Sequence, residues 1–358
     1  MTTNVRLHYP SQAAYIKEDG ASGAYTYIHG MQSGSDNADI PTENINTWGQ
    51  SSPYEIIEDT PEVSIDFERV LDGCAPIYLL ASQGAASATI SGREGVKSVV
   101  AIGMYNSANS YANGSTLRTV EFSGVQISSV GYTFNVDGAF TENVSFVGNE
   151  RSFAEGGSEL YGSIPSDPTS GGADEPCALT GCSGGVQLKE NLKYNGTYPT
   201  LLPTVIPGVS SSGTVAIAAD NIPTVPVQSI SISADFGRET ISILGARGAY
   251  ARTATFPIEV TCDIEILSQS GDGINITELG VFDGCDYANA PYQRIRVATD
   301  GGLIIDLGNR NKLTSIAQTH GDTGGGNATY TLSFVGQSVM SVFHQQDPSA
   351  IVYSGFWQ

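Results

Sequence analysis

Residues 125–148, VQISSVGYTFNVDGAFTENVSFVG, constrain this chain more than any other stretch. Val130, Tyr132, Phe134 and Val136 alternate with small or polar residues, the period of a half-buried strand. Phe140, Val144 and Phe146 do the same beyond a turn at Asp137-Gly138. A strict two-residue Asp-Gly turn sets Phe140 opposite Asn135 and scatters the apolar residues over both faces. A three-residue loop with Gly138 left-handed pairs Val136 with Phe140, Tyr132 with Val144 and Val130 with Phe146, and is the expected register. One face is then apolar except for Glu142, placed opposite Phe134. The other face is Ser, Thr, Asn and Gly.

The rest of the composition agrees with a chain built of such hairpins. There are 42 Gly and 17 Tyr in 358 residues, and only 15% of the residues are charged. That mixture favours strands and turns over helices. The length suits two domains or one large all-β domain with insertions. No apolar run approaches the length of a membrane-spanning helix. The start, MTTNVRLHYP, has no basic region followed by an apolar run, so no secretory leader is expected. Sixteen basic residues stand against 37 acidic ones, a net charge of −21. Such a surface is highly soluble and repels nucleic acid and anionic membranes.

Four regions follow from the pattern. Residues 1–60 are rich in turn formers and read as an extended N-terminal arm with one short strand near 24–29. Residues 61–150 form a first β half: EVSIDFERVL at 62–71 is a strand, PIYLLASQGAA at 76–86 a short helix or a buried loop, and VKSVVAIGM at 96–104 a buried strand. Residues 151–224 are dominated by Gly, Ser and Pro and read as an insertion or a linker. Residues 225–358 form a second β half. In it, VQSISISADF at 227–236 and FPIEVTCDIEIL at 256–267 alternate cleanly, strands follow at 292–298 and 302–306, and 313–317 pairs with 328–336. Between the two alternating strands, 237–254 breaks the pattern and reads as holding a helical turn between Gly237 and Gly248. VQISSVGYTFNVDG at 125–138 and VQSISISADFGRE at 227–239 echo each other, which suggests that the halves are duplicates.

Chemistry-bearing patterns are scarce. There is no phosphate loop and no nucleophile elbow. His320 and Asp322 lie together in a Gly-rich loop that reads as a polar turn. Cys74, Cys177, Cys182, Cys262 and Cys285 have no metal-binding spacing; a loop disulfide between Cys177 and Cys182 is one reading, reduced thiols the other. SGDG at 270–273 and DTGGGN at 322–327 match no calcium-binding loop. Basic and aromatic residues are not interleaved, as a nucleic-acid reader would require. No enzyme and no cofactor are expected.

Residues 131–150, GYTFNVDGAFTENVSFVGNE, resemble the central hairpin of the tail tube proteins of tailed phages. GDTGGGNATYTLSFVGQ at 321–337 resembles the C-terminal hairpin of that family, and EVSIDFERVL, VQSISISADFGRE and FPIEVTCDIEIL resemble its strands. The resemblance implies an all-β fold, an antiparallel β-sandwich or half-barrel whose sheets join edge to edge into a ring. Rings would stack through a long loop and the terminal arms into a tube that conducts DNA. The implied partners are further copies of the chain, as a hexamer or as a pseudo-hexameric trimer, and tape-measure, baseplate and sheath proteins. DNA would pass without specific binding, and no membrane is involved. The implied place is the virion tail, after synthesis in the host cytoplasm. Residues 1–60 and 151–224 depart from the compact form of the family and leave the copy number open.

Polarity marks Thr133, Asn135, Thr141 and Asn143 on the hairpin, and Glu259, Asp263 and Glu265 on the later strand, as candidates to line the lumen. The arm at 24–60 and the segment 237–254 are candidate interfaces, with Arg238, Arg247 and Arg252 reaching a neighbour's acids or solvated in their own loop. Two other readings remain. One is a different virion part, such as a tail terminator, baseplate ring or fibre module. The other is an extracellular β-rich protein, carbohydrate-binding or hydrolysing, or else a calcium-dependent adhesin; against a sugar platform, Trp48 and Trp357 are the only tryptophans and sit near the ends.

Overall fold

The computed structural model describes residues 9–20, 25–81, 87–90, 95–105, 116–155, 160–161, 164, 206, 227–245, 248–267, 292–299, 302–320 and 327–344. The fold is all-β. Its frame is an eight-stranded antiparallel ladder that runs β3 (Met31–Asp39), β6 (Glu62–Val70), β10 (Thr141–Gly148), β9 (Arg118–Asn135), β12 (Val227–Asp235), β15 (Glu259–Leu267), β19 (Thr329–Gln337) and β18 (Lys312–Thr319). Residues from both sequence halves therefore share one sheet, joined where β9 meets β12 through Ile232↔Tyr132 and its neighbours.

Inward residues of these strands are apolar because alternate side chains must leave water: Ile65 and Phe67, Val144 and Phe146, Ile230 and Ile232, Val260 and Ile264, Leu332 and Phe334 are all buried. They are covered by two smaller sheets. One is formed by β2 (Thr26–Tyr27), β1 (Gln12–Glu18), β8 (Ser98–Met104), the first part of β9, and β11 (Glu150–Glu155). The other is β16 (Arg296–Ala298), β17 (Leu303–Asp306), β20 (Ser341–His344) and β7 (Ser87–Thr89). Ile16, Val100 and Phe122 from the first, and Val297, Ile305 and Val342 from the second, share one core with the large sheet. The arrangement is a sandwich whose second layer is in two pieces.

Strand β9 belongs to both layers. Its first residues pair with β8 and β11, its last with β10 and β12. The crossing falls at Gly124, whose φ of +62° suits glycine alone. A Cβ on nearby Gly148 would lie 2.7 Å from Val125 Cγ1, so the two strands cross too closely for any side chain there.

Two hairpins extend from one end of the large sheet. Between β3 and β6, β4 (Thr42–Ile45) pairs with β5 (Glu55–Glu58). Between β12 and β15, β13 (Glu239–Ile241) pairs with β14 (Ala251–Thr253). The pairings Asp39↔Glu62, Asp235↔Ser129 and Glu259↔Gln337 place both at the same end.

Several expectations are corrected. The hairpin register is slipped by two residues: Glu142 faces Tyr132, not Phe134, and Val144 faces Val130. A slip of two preserves which residues share a face, so the faces stand while the partners change. Val136, expected on the apolar face, is 57% exposed beyond the strand. Residues 12–18 are not arm but β1, with Ala13, Ala14, Tyr15 and Ile16 buried because both faces of that strand are covered. Where a helical turn was expected between Gly237 and Gly248, the chain forms the β13–β14 hairpin; the one α-helix among the described residues is α1 (Ile77–Leu80), beside a 3-10 turn at Tyr9–Ser11. Cys74 is disulfide-bonded, while Cys262 is a buried free thiol.

Candidate functional site

All seven residues proposed from polarity to line a lumen lie on the outer face of the eight-stranded sheet. Ser231 on β12 sits between Thr133 on β9 and Asp263 on β15. Ser229 sits likewise between Asn135 and Glu265. Thr141 on β10 faces Thr133, and Asn143 faces Glu68 on β6. Glu259 stands at the start of β15, opposite Gln337. Thr133, Thr141 and Glu265 are half-buried by their neighbours, whereas Asn135, Asn143, Glu259 and Asp263 are exposed.

Short polar contacts tie adjacent strands together on this face. Ser145 Oγ donates to Asp66 Oδ1 at 2.6 Å, Ser229 Oγ to Glu265 Oε2 at 3.1 Å, and Ser33 Oγ to Glu68 Oε2 at 3.2 Å. Ser233 and Thr261 hydroxyls are 2.7 Å apart. Asp66, Glu68, Asp235, Glu259, Asp263 and Glu265 all belong to this face, and Lys312 on the border strand is the cation nearest them in the ladder. Small hydroxyls among carboxylates give a surface that is polar, wetted and predominantly negative.

The candidate interface arginines serve their own chain. Arg238 Nε donates to the Ile127 carbonyl at 2.8 Å, and its guanidinium lies 5.3 Å from the centre of the Phe236 ring. Arg252, 7% exposed, donates to Asn149 Oδ1 and approaches Glu62 Oε2 at 3.6 Å, fastening the β13–β14 hairpin to the base of β6. Arg247 lies outside the described residues, as do Asp322, Cys177, Cys182, Cys285 and the stretch 270–273.

A buried ionic cluster on the inward face escaped the sequence reading. Glu142 is wholly buried, and its carboxylate accepts the backbone N–H groups of Ile77 and Tyr78 at 2.7 and 3.1 Å and the Tyr132 hydroxyl at 3.1 Å. Arg69, also wholly buried, is 4.0 Å from Glu142 and 2.6 Å from Asp72, and donates to the Ala75 carbonyl. Burial pushes the Glu142 carboxyl up, opposed first by Arg69 and then by the N–H donors. Burial raises the Tyr132 phenol too, and Glu142 beside it adds to the rise. At the border of this cluster His344 Nε2 lies 2.9 Å from the Gly73 carbonyl, and desolvation holds the imidazole down at about 4.

Donor atoms of His29, Asp72 and Cys74 lie within 4.8 Å of one another. The sulfur is committed to a disulfide and Asp72 Oδ1 to Arg69 and the Cys74 N–H, so these residues do not fit a cation. Every oxygen of Glu142 is engaged by a donor of the protein. The cluster is therefore built as a structural clasp joining α1 to the hairpin.

No protein-family model matches the chain, and no curated protein matches it. Among solved structures it is similar to a chain of the anti-feeding prophage baseplate, at 10% identity and a TM-score of 0.32 over 43% of this chain and 98% of that one. It is also similar to the tube-terminating cap of the same particle, at 10% identity and a TM-score of 0.30 over 43% and 95%. A chain of the tail of an empty GTA particle matches at 18% identity and a TM-score of 0.24 over 33% and 83%.

Proposed function

We propose that this protein is a structural, non-enzymatic component of a phage tail or a tail-like particle, and that it builds a tube wall as stacked rings through which DNA passes. The observation that supports this most directly is the outer face of the eight-stranded sheet. A wall that conducts DNA meets a polyanion with one charge per roughly 1.7 Å of duplex. A face of hydroxyls and carboxylates, whose one cation among the described residues of the ladder is Lys312 on the border strand, offers that polyanion few sites at which to stop. Among the described residues, Thr133, Asn135, Thr141, Asn143, Glu259, Asp263 and Glu265 belong to that face, and in this reading they line the lumen.

Among the described residues, no strand pairs with the outer edge of β3 or of β18. An unpaired strand edge is an aggregation hazard in a monomer and an asset in a subunit that must join others. The exposed β4–β5 hairpin, with Trp48 at its turn and Ile56 and Ile57 on its second strand, suits a contact with the next ring.

Negative-stain electron microscopy of the concentrated protein tests the reading. Hollow filaments with a regular axial repeat are expected. Isolated rings would move the protein to a baseplate or terminator position, and monodisperse monomers would sink the proposal. The lumen assignment has its own test in particles carrying Glu259→Lys and Asp263→Lys. Retarded DNA ejection is expected; particles that eject normally would remove these residues from the lumen.

A further inference from the structure

We propose that the two borders of the eight-stranded sheet are mates: β18 of one copy pairs with β3 of the next, and the joint is clasped by Arg310 and Lys312 against Asp39. The inference rests on the ring reading above and names which edges and charges make the ring.

Direction comes first. The eight strands alternate strictly, so β3 and β18 run in opposite senses. A second copy placed beside the first in the same orientation continues the antiparallel ladder across the joint without turning over. The polar face of one copy then runs on into that of the next. Repeating one heterologous contact in this way closes a ring. The borders also match in extent, Met31–Asp39 against Lys312–Thr319, and both are largely exposed.

Charge then points to the same joint. Asp39 faces Glu62 across the β3–β6 ladder, two like charges in opposed positions, an unfavourable arrangement. Arg252 lies 3.6 Å from Glu62, but Asp39 has no ion pair among the described residues. At the same end of the sheet, on the opposite border, Arg310 and Lys312 are exposed and without an ion pair among the described residues. Lys312 shares the outer face with Asp39, through Lys312↔Val335 and Val335↔Thr261 on one side and Asp39↔Glu62 on the other. In a chain with 16 basic residues, two unpaired cations at this corner form a conspicuous complement to an unpaired carboxylate at the other. Beyond Asp39 the hairpin adds Glu43, Glu55 and Glu58 and no cation, so the acidic side of the joint is extended.

The test uses the full chain and reads assembly and fold separately. Arg310→Glu with Lys312→Glu is expected to abolish rings while leaving the monomer's melting temperature and circular dichroism unchanged. Adding Asp39→Lys to that variant is expected to restore rings. Hydrogen exchange of the wild type, which does not depend on the stagger of the joint, is expected to show the amides of both β3 and β18 protected on assembly by at least tenfold. Rings whose β3 and β18 amides exchange as in the monomer would overturn the inference and leave the ring reading standing. A wild type that forms no ring would overturn both. A β18 variant that still forms dimers would show β3 pairing with itself and would equally overturn it.

Discussion

The two halves of the large sheet are held together differently. On the β3-β6-β10-β9 side the inward face carries Arg69 and Glu142, both wholly buried and tied to α1. On the β12-β15-β19-β18 side the corresponding interior is Ile232, Ile264, Leu332 and Phe334, with Cys262 as its one polarisable atom. Apolar packing is tolerant of exchange between similar shapes, whereas a buried ion pair is stable in one geometry only. The first half is therefore specified by partners and the second by volume. Similar strands, echoing each other in sequence, are thus fixed in place by unlike means.

Breaking the partnered half should cost most. Arg69→Met removes the cation from two buried carboxylates, and a loss of about 3–5 kcal/mol in chemical denaturation is expected. Adding Glu142→Leu should recover part of that loss, since an apolar pair of similar volume removes the uncompensated charge. A double variant no better than the single would show that the N–H donors of α1, not the cation, are what Glu142 requires.

In the volume-specified half, Ile264→Ala should cost ~2–5 kcal/mol by leaving a cavity, with no dependence on pH between 5 and 8. Equal losses with a pH dependence would mean that a hidden titrating partner lies there too.

At the border of the buried ionic cluster, His344 provides a pH probe. Its folded imidazole is held at about 4 by burial, against an ordinary 6.5, with the Gly73 carbonyl and Asp72 opposing that fall and Arg69 assisting it. The unfolded chain takes up the proton first, so its contribution is complete above pH 6.5 and is lost as pH falls towards 4. About 3 kcal/mol should go over that window. His29 is lowered as well, first by burial, and acts in the same sense. His344→Gln should flatten this part of the stability profile; an unchanged profile would assign the acid sensitivity to other groups.

The smallest effect belongs to the surface. Arg118 and Glu155 pair at 2.8 Å but are 52% and 76% exposed, so Arg118→Ala should change stability by only ~0–1 kcal/mol.

The strands themselves were legible because β6, β12, β15 and β19 have one wet and one dry face, which writes a period of two into the sequence. Strand β1 was not: with Ala13 to Ile16 all buried, QAAYIKE shows no alternation to read. The hairpin's faces could be derived from its residues, but its partners could not, since a slip of two residues leaves the same pattern. Glu142 looked like an exception on an apolar face because Arg69 and α1 reach it from another part of the chain, and no local spacing announces them. The seven polar candidates could be chosen singly, but that they share one face depends on β12 lying between β9 and β15. Likewise the corner charges Asp39, Arg310 and Lys312 gain meaning only when the order of strands puts them at one end.

The pairing of β7 with β20 has a consequence for how the protein is made. Ser87–Thr89 emerges from the ribosome long before its partner strand Ser341–His344, the last described segment. The small sheet, and with it the cover over Val297, Ile305 and Val342, is completed only when nearly all of the described chain has been translated. Contacts so distant along the chain make folding slow and leave apolar surface waiting. The nascent chain therefore needs shelter longest at the layer opposite the polar face. Because β18 precedes β20, the edge proposed to recruit a neighbour is synthesised before the fold is closed, and on that proposal premature pairing on polysomes is the hazard this order of synthesis creates.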